Sequence, residues 1–245
     1  MTTTEDRFLG GRVIVRQMQG GFRGGLDAVM LAAAVPARAR DEVLELGAGA
    51  GTASLCLASR VSDVSITGIE IDAPLVALAN ENATANSFET RLHIAAGDVF
   101  DLPRKLRRNF AHVLCNPPFH DELGKVSPDT GRDLALRDRG QLGDWLELGL
   151  RRVATGGTFT TIIRADRLSE ALARLPDRGV SIFPLWPRAG EPAKRIILQA
   201  VKGSRAVSVL LPGLVLHDVD GSYALEADAV LRDGAAIAIA TKASK

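Results

Sequence analysis

Short apolar segments alternate with stretches of helical periodicity along most of the chain. The short segments are bounded by turn residues and predict buried strands over 42–46, 65–71, 92–96, 110–115 and 158–163. The periodic stretches predict helices over 26–39, 52–60, 74–86 and 142–154, the last of them ending at Gly156-Gly157. This alternation predicts an α/β fold in which a sheet lies between layers of helices.

The two ends of the chain continue the pattern less regularly. Val13-Ile14-Val15 predicts one short strand near the N-terminus. Two antiparallel strands are predicted over 180–185 and 195–201, an edge strand over 207–216, and helices over 168–175 and 224–231. We expect a single domain of residues 1–245, comprising an N-terminal strand, glycine-rich lid and helix (1–40), a ligand-binding core (41–119), a polar substrate loop (120–142) and the C-terminal half of the sheet (143–245).

The strand over 110–115 leads into Asn116-Pro117-Pro118-Phe119. Proline donates no N–H to a sheet and holds the preceding residue extended, so the two prolines end the strand and fix Asn116. In an open α/β sheet, ligands bind at the carboxyl ends of strands. The Asn116 side-chain oxygen and the Pro117 carbonyl can each accept a hydrogen bond from a planar amine, and Phe119 can stack on its ring. The tetrad therefore predicts a site for a conjugated amine, with an ordinary Pro-Pro turn as the alternative.

A glycine turn follows the first strand of the core, with the spacing Glu45-x-Gly47-x-Gly49-x-Gly51. A strand, a glycine turn and a helix together form a nucleotide-binding unit. The dinucleotide pattern G-x-G-x-x-G, however, requires a glycine where Thr52 stands. The turn therefore favours a nucleoside ligand without a pyrophosphate.

Acidic residues stand at the ends of three predicted strands. Glu70 can accept hydrogen bonds from both ribose hydroxyls, and Asp98 is placed to bind an adenine amino group. Glu45 tolerates a positively charged ligand. An adenosine that carries a sulfonium in place of phosphates satisfies all three acids, which indicates S-adenosyl-L-methionine.

A glycine-rich loop precedes the first helix, in the segment Gln19-Gly20-Gly21-Phe22-Arg23-Gly24-Gly25-Leu26-Asp27. Glycines allow the backbone to approach another group closely. Two interpretations of Arg23 and Asp27 remain open, a surface ion pair near the start of a helix and a lid over a ligand.

Composition narrows the class of protein. The chain has 245 residues, 46% of them hydrophobic, and no apolar run approaches the length of about 18 residues that a transmembrane helix needs. The N-terminus lacks the apolar stretch of a signal peptide, and Cys56 and Cys115 belong to no Cys-x-x-Cys pair, so we expect a reducing cytoplasm, no disulfide and no metal site. The net charge of +1 neither demands nor excludes nucleic acid, and the basic cluster 104–108 is a solvated surface or an RNA contact.

The order of these motifs resembles a class I S-adenosylmethionine-dependent methyltransferase of the branch that methylates amino groups. The resemblance covers residues 42–119 and implies a Rossmann-like, seven-stranded sheet with helices on both faces and an antiparallel C-terminal edge. It also implies that the glycine turn binds the methionine part of the cofactor, that Glu70 binds the ribose, that Asp98 contacts the adenine, and that the Asn-Pro-Pro-Phe tetrad holds the target amine.

A narrower resemblance covers nearly the whole chain. The block 19–29, the late block 192–203 and Asp220-Gly221-Ser222-Tyr223 are similar to the bacterial tRNA adenine methyltransferase family that acts on valine tRNA. This resemblance implies methyl transfer to adenine N6 in tRNA, a loop 20–27 that covers the cofactor, and a position for Lys194-Arg195 near the RNA. With His120 after Phe119, the segment Asn-Pro-Pro-Phe-His is similar to the corresponding segment of ribosomal RNA guanine methyltransferases.

The sequence therefore predicts an N-methyltransferase that acts in the cytoplasm on RNA, most simply tRNA. A guanine-N2 ribosomal RNA enzyme, a protein glutamine-N5 methyltransferase and a non-catalytic cofactor- or RNA-binding module remain alternatives, and the oligomeric state is open. Neither His112 nor His120 is needed as a base. The residues predicted to hold the amine are Asn116, Pro117, Pro118 and Phe119. The residues predicted to bind the cofactor are Arg23, Asp27, Glu45, Leu46, Gly47, Ala48, Gly49, Gly51, Glu70, Ile71, Asp98, Val99 and Asn116.

Overall fold

A sheet that is parallel in its centre organises the chain. The computed structural model describes residues 2–20, 23–118 and 142–239. Its strands are β1 (Thr3–Phe8), β2 (Val13–Met18), β3 (Glu42–Leu46), β4 (Ser65–Glu70), β5 (Leu92–Ala96), β6 (Phe110–Cys115), β7 (Val153–Arg164), β8 (Val180–Trp186), β9 (Arg195–Val201), β10 (Val209–Leu210) and β11 (Leu214–Val215). Its helices are α1 (Leu26–Ala34), α2 (Thr52–Arg60), α3 (Ala73–Ala85), α4 (Leu142–Arg152), α5 (Leu168–Leu172) and α6 (Leu225–Asp233).

Seven strands form the body of the sheet, in the order β8-β9-β7-β6-β3-β4-β5. The strands from β7 to β5 along this order pair in parallel, whereas β9 is antiparallel to both of its neighbours. The predicted α/β fold with an antiparallel C-terminal edge is thereby confirmed. The predicted edge strand over 207–216 is instead two short strands, β10 and β11, which pair in parallel with β8. They are separated by Leu211, Pro212 and Gly213, and the φ of Gly213 is +80°.

Helices cover both faces of the sheet. One apolar cluster contains the buried side chains of α1, α2, α3 and α6, and the other contains those of α4 and α5. The strand β3 contributes to both clusters, with Val43 on the first face and Leu44 and Leu46 on the second. This two-sided burial explains why the central strands are almost continuously apolar in sequence. Within the described ranges, no helix is long and apolar enough to cross a membrane.

A separate hairpin precedes the main sheet. The strands β1 and β2 pair antiparallel along their whole length, from Thr3 opposite Met18 to Phe8 opposite Val13. The sequence predicted only part of β2, because β1 has mainly polar residues and gives no apolar signal. On the other edge of β2, the side-chain amides of Asn82 in α3 and of Asn86 just after α3 each accept a hydrogen bond from the N–H and donate one to the C=O of a single strand residue. These two side chains take the place of a third strand and anchor the hairpin to α3.

Two predicted boundaries were wrong for identifiable reasons. The helix α1 ends at Ala34 rather than near Ala39, because Pro36 forces Val35 into an extended conformation. The glycines Gly156 and Gly157 lie inside β7 instead of ending a helix. The strand is irregular there, and a Cβ atom on Gly157 would collide with the Ala111 carbonyl of β6.

Candidate active site

The sheet brings the glycine turn and the Asn-Pro-Pro segment together. In the parallel pair of β3 and β6, Leu46 lies opposite Cys115, so Gly47 and Asn116 are the next residues at one edge. The chain runs outward from β3 to β5 and then returns to β6 on the other side of β3. Such a reversal of strand order opens a crevice at the carboxyl ends of the strands, which is where open α/β sheets bind ligands.

The glycine turn is built around three left-handed residues. Gly47, Gly49 and Gly51 have φ values of +70°, +55° and +83°, which strain any residue with a Cβ atom. The turn is tied to β4, because the N–H groups of Gly47 and Ala48 both donate to the Ile69 carbonyl at 2.9 and 3.0 Å. No described atom lies within 4 Å of the position that a Cβ on Gly49 would occupy. The turn is therefore fixed in shape and leaves room for a ligand beside Gly49.

Glu70 is held in place at the end of β4. Its carboxylate accepts hydrogen bonds from the Gly49 N–H at 2.9 Å and the Asp72 N–H at 3.0 Å. Each oxygen can accept one further hydrogen bond, so the side chain can still bind hydroxyl groups. The next side chain, Ile71, is 53% exposed. A fixed acid beside an exposed apolar side chain suits a ribose and the face of a base.

Asp98 stands at the end of the neighbouring strand β5. Its carboxylate accepts the Phe100 N–H at 2.8 Å and caps the short 3-10 turn Val99–Asp101. Glu70 lies opposite Ala96 in the register of β4 and β5, and the Gly97 N–H donates to the Glu70 carbonyl. The structure thus brings the two predicted acids to adjacent strand ends.

Asn116 carries an acceptor that no part of the described chain satisfies. Its side-chain oxygen is buried and has no hydrogen-bond partner among the described residues. A buried polar atom of this kind costs about 1–3 kcal/mol, so it indicates a site for a donor group. Pro117 is buried and Pro118 exposed beside it, whereas Phe119, His120 and the predicted loop 120–142, except its last residue, lie outside the described residues.

Glu45 is not brought to the ligand side of the turn. Its side chain is buried between β3 and α2, where the carboxylate accepts a hydrogen bond from Ser54 Oγ. Burial raises the pKa of Glu45 to about 7. Leu46 and Ala48 are also buried, so they can contribute only backbone groups to a ligand. Val99 is buried in the apolar cluster beneath the turn that Asp98 caps.

The glycine-rich segment lies against the start of α2. A Cβ on Gly24 would lie 2.5 Å from Thr52 Oγ1, so the backbone of Gly24 contacts the residue that follows Gly51. Gln17, buried in β2, holds Gly24 by accepting its N–H at 2.6 Å and donating to its carbonyl at 2.9 Å. This arrangement favours the interpretation of the part around Gly24 as a cover over the glycine turn, whereas Gly21 and Phe22 lie outside the described residues.

Arg23 and Asp27 form ion pairs, but not with each other. Arg23 pairs with Asp6 of β1 and also donates to Thr4 Oγ1. Asp27 pairs with Arg195 at the start of β9 at 2.8 Å. Both side chains therefore anchor the N-terminal segment, to the hairpin on one side and to the C-terminal half of the sheet on the other.

Two residues near the turn were missed by the sequence analysis. Trp145 of α4 packs on Gly47, with Cη2 3.0 Å from the position of a Cβ on that glycine. Asn82 of α3 donates to the Ala50 carbonyl at 3.0 Å while it holds β2. The sequence signal for Trp145 is weak, because a tryptophan in an amphipathic helix usually packs in the core.

The basic cluster 104–108 lies near the amino-terminal ends of the strands, on the side of the sheet away from Asn116. Arg108 makes two hydrogen bonds of 2.7 Å to Glu42 at the start of β3 and lies over the Phe110 ring. Arg107 binds Asp101 and the Leu102 carbonyl. These contacts support the interpretation of the cluster as surface structure.

His112 has a structural environment. It is buried in β6 between Thr158 Oγ1 and the Asp41 carboxylate, at 2.7 and 3.2 Å, and burial lowers its pKa. Asp41 precedes β3, so the histidine lies toward the amino ends of the strands, away from Asn116. Within residues 2–20, 23–118 and 142–239, no group of three or more His, Cys, Asp or Glu side chains could hold a metal ion.

Comparison with known proteins gives matches to methyltransferases over most of the chain. Residues 23–142 match the family described as "Methyltransferase small domain". A tRNA1(Val) (adenine(37)-N6)-methyltransferase from Shewanella amazonensis is 30% identical over 218 residues, which is 87% of this chain and 91% of the relative. A protein of the same name from Vibrio vulnificus is 31% identical over 193 residues, 76% of this chain and 78% of the relative.

Solved structures show the same fold. A predicted O-methyltransferase from Agrobacterium tumefaciens has a TM-score of 0.71 and 25% sequence identity, and the match covers 86% of this chain and 98% of that one. An O-methyltransferase from Thermotoga maritima has a TM-score of 0.54 at 14% identity, covering 76% of this chain and 69% of that one.

Proposed function

Because the chain belongs to the S-adenosylmethionine-dependent methyltransferase family that includes the tRNA1(Val) (adenine(37)-N6)-methyltransferases, we propose that it methylates the N6 amino group of an adenine in tRNA. It is an N-methyltransferase, and its cofactor is S-adenosyl-L-methionine. The observation that carries the proposal is the buried, unpartnered oxygen of Asn116 next to the glycine turn.

The residues at the strand ends fit this cofactor. Glu70 would bind the ribose hydroxyls and Asp98 the adenine, while the backbone of the turn from Gly47 to Gly51 would hold the amino-acid part. When bound, the cofactor supplies an electrophilic methyl group on a sulfonium. The fit rests on the space beside Gly49 and on the prior fixation of Glu70 by the turn itself. Such pre-organisation reduces the entropy that binding must overcome.

Asn116 would orient the target amine. The lone pair of an adenine amino group is delocalised into the ring and is a weak nucleophile. Hydrogen bonds from its two N–H groups to the Asn116 oxygen and the Pro117 carbonyl favour a pyramidal nitrogen with an available lone pair. Holding that nitrogen in line for displacement contributes through proximity and orientation.

No general base is required in this scheme. Once the nitrogen lone pair has formed the new bond, the methylated amine is strongly acidic and gives its proton to water. His112 is buried and hydrogen-bonded toward the amino-terminal ends of the strands, away from Asn116, which supports a structural role.

The placement of Lys194 supports an RNA substrate. Lys194 is exposed immediately before β9, and Arg195 lies opposite Arg164 at the carboxyl end of β7. Cationic side chains are therefore present on the same side of the sheet as Asn116, where the parallel strands have their carboxyl ends. Phosphate contacts from such side chains position RNA without reading its sequence. We place the reaction in the cytoplasm, where tRNA is available and the free thiols of Cys56 and Cys115 remain reduced.

The proposal is tested by methyl transfer from labelled S-adenosylmethionine to total tRNA, ribosomal RNA and cell protein, followed by nucleoside analysis. We expect label in N6-methyladenosine of tRNA. Asn116→Ala should lower the transfer rate at saturating cofactor at least about 100-fold, in the range of a lost orienting group. Asn109→Ala is the matched control, because Asn109 is exposed at the other end of the same strand.

Other results have distinct meanings. Label in methylguanosine or in protein would keep the methyl-transfer chemistry and replace the substrate. Unchanged transfer by Asn116→Ala would refute the role of that residue. Cofactor binding without transfer to any of the three substrates would favour a non-catalytic module.

A further inference from the structure

Trp145 connects the two turns that flank the cofactor crevice. It lies in the first turn of α4, and its side chain is only 8% exposed. The far edge of the indole rests on Gly47, with Cη2 and Cζ3 at 3.0 and 3.2 Å from the position of a Cβ on that glycine. Gly47 is the first left-handed residue after β3, so the indole supports the backbone that would hold the amino-acid part of the cofactor.

The same indole packs against Phe100. The two rings are edge to face, with centroids 5.6 Å apart and an interplanar angle of 79°. Phe100 is 36% exposed, and its N–H is bonded to the carboxylate of Asp98, the residue placed to bind adenine. Trp145 therefore contacts the turn after β3 and the turn after β5, which are the turns expected to bind the two ends of the cofactor.

The indole N–H has no partner in the described part of the chain. Trp145 Nε1 is buried, and no described residue accepts its hydrogen bond. A buried donor without an acceptor costs free energy, and tryptophan N–H groups usually find a partner when buried. In the described part of the chain, the indole N–H of Trp145 is thus an unsatisfied donor, as the side-chain oxygen of Asn116 is an unsatisfied acceptor.

We propose that Trp145 is a cofactor-positioning residue that acts on the amino-acid end of S-adenosylmethionine. The indole fixes the conformation of Gly47 and acts on that end of the cofactor through the Gly47 backbone, which would hold it. The inference rests on the cofactor and not on the choice of tRNA, so methylation of another substrate would leave it unaffected.

The test compares two ligands that differ only at this end. S-adenosyl-L-homocysteine retains the amino-acid group, whereas 5′-methylthioadenosine lacks it. Binding of the first is measured by calorimetry and that of the second by competition with it. Trp145→Phe keeps an aromatic ring but removes the N–H and the edge that reaches Gly47. We expect about 3- to 10-fold weaker binding of S-adenosyl-L-homocysteine and binding of 5′-methylthioadenosine within about twofold of the wild type.

The second tryptophan provides the control. Trp186 donates its N–H to the Pro212 carbonyl at 2.9 Å at the other edge of the sheet. Trp186→Phe should bind both ligands like the wild type, and its remaining indole should change emission when S-adenosyl-L-homocysteine is added. An equal loss of affinity for both ligands in Trp145→Phe would show a merely structural role and overturn the proposal. Unchanged affinity, or no emission change at saturation in Trp186→Phe, would also overturn it.

Discussion

Replacing Glu45 with glutamine should make the stability of the protein less dependent on pH. The side chain is buried between β3 and α2 and bonded to Ser54 Oγ. Burial raises its pKa from 4.5 to about 7, although the hydrogen bond from Ser54 acts in the opposite direction. Because the folded pKa is higher than the unfolded one, this carboxyl contributes stability that is complete below pH 4.5 and is lost as pH rises through 7.

The expected size follows from that difference in pKa. A rise from 4.5 to about 7 corresponds to about 3 kcal/mol of unfolding free energy, lost between about pH 4.5 and pH 8. Glutamine does not titrate, and its side-chain oxygen can still accept the Ser54 hydrogen bond. The pKa of His112 is lowered by burial, so the histidine costs stability as pH falls below 6.5. Since His112 is present in both proteins, its effect cancels in the comparison.

The assay is urea unfolding followed by circular dichroism from about pH 5 to pH 9. The stability of Glu45→Gln relative to the wild type should increase by about 2–3 kcal/mol across this range. Glu42→Gln is the control, because Glu42 begins the same strand and its hydrogen bonds to Arg108 lower its pKa, which keeps its titration below the range. A difference that stays constant within about 0.5 kcal/mol would refute the protonation of Glu45 near neutral pH.

Two further predictions concern the surroundings of the site. Gly24→Ala should weaken the binding of S-adenosyl-L-homocysteine, measured by calorimetry, about tenfold or more, because its Cβ would lie 2.5 Å from Thr52 Oγ1 and displace the backbone around it. Gly25→Ala is the control and should bind normally, because no described atom lies within 4 Å of its Cβ. Lys194→Glu should weaken tRNA binding and reduce the slope of log affinity against log salt concentration by about one, as measured by filter binding over a salt series. Lys105→Glu, in the exposed basic cluster, should change neither quantity, and equal effects of the two substitutions would contradict the proposed RNA face.

The features that the sequence predicted well are local ones. A short apolar strand, a glycine turn and a helix follow one another without interruption from Glu42 to Arg60, so their pattern suffices to place them. The same holds for Glu70, Asp98 and Asn116, because each stands at the end of a strand that its own neighbours define. The parallel order of the strands then brings them to one edge whatever the details of packing.

The features that the sequence could not predict depend on contacts between distant segments. The strand β1 is polar and exists through its pairing with β2. The backbone groups on the free edge of β2 are hydrogen-bonded by Asn82 of α3 and by Asn86, which caps that helix. The position of Glu45 beneath the turn depends on which face of β3 meets α2. Trp145 contacts Gly47 only because α4 packs on β6, the neighbour of β3 in the sheet, and no spacing in the chain predicts that contact.

Position on the sheet, rather than clustering in the sequence, determines which charged residues can take part in the reaction. The cluster 104–108 is the densest basic stretch in the chain, yet Arg107 and Arg108 are paired to acids and main-chain groups, and Arg108 is bound to the amino end of β3. Lys194, in contrast, reaches the carboxyl edge because β9 runs antiparallel to β7 and begins where β7 ends. The reversal of one strand in an otherwise parallel sheet thus places the start of β9 next to the end of β7, on the side of the sheet where β6 and β3 also end. A substrate that reached Asn116 from that side would meet Lys194 before it met the cluster.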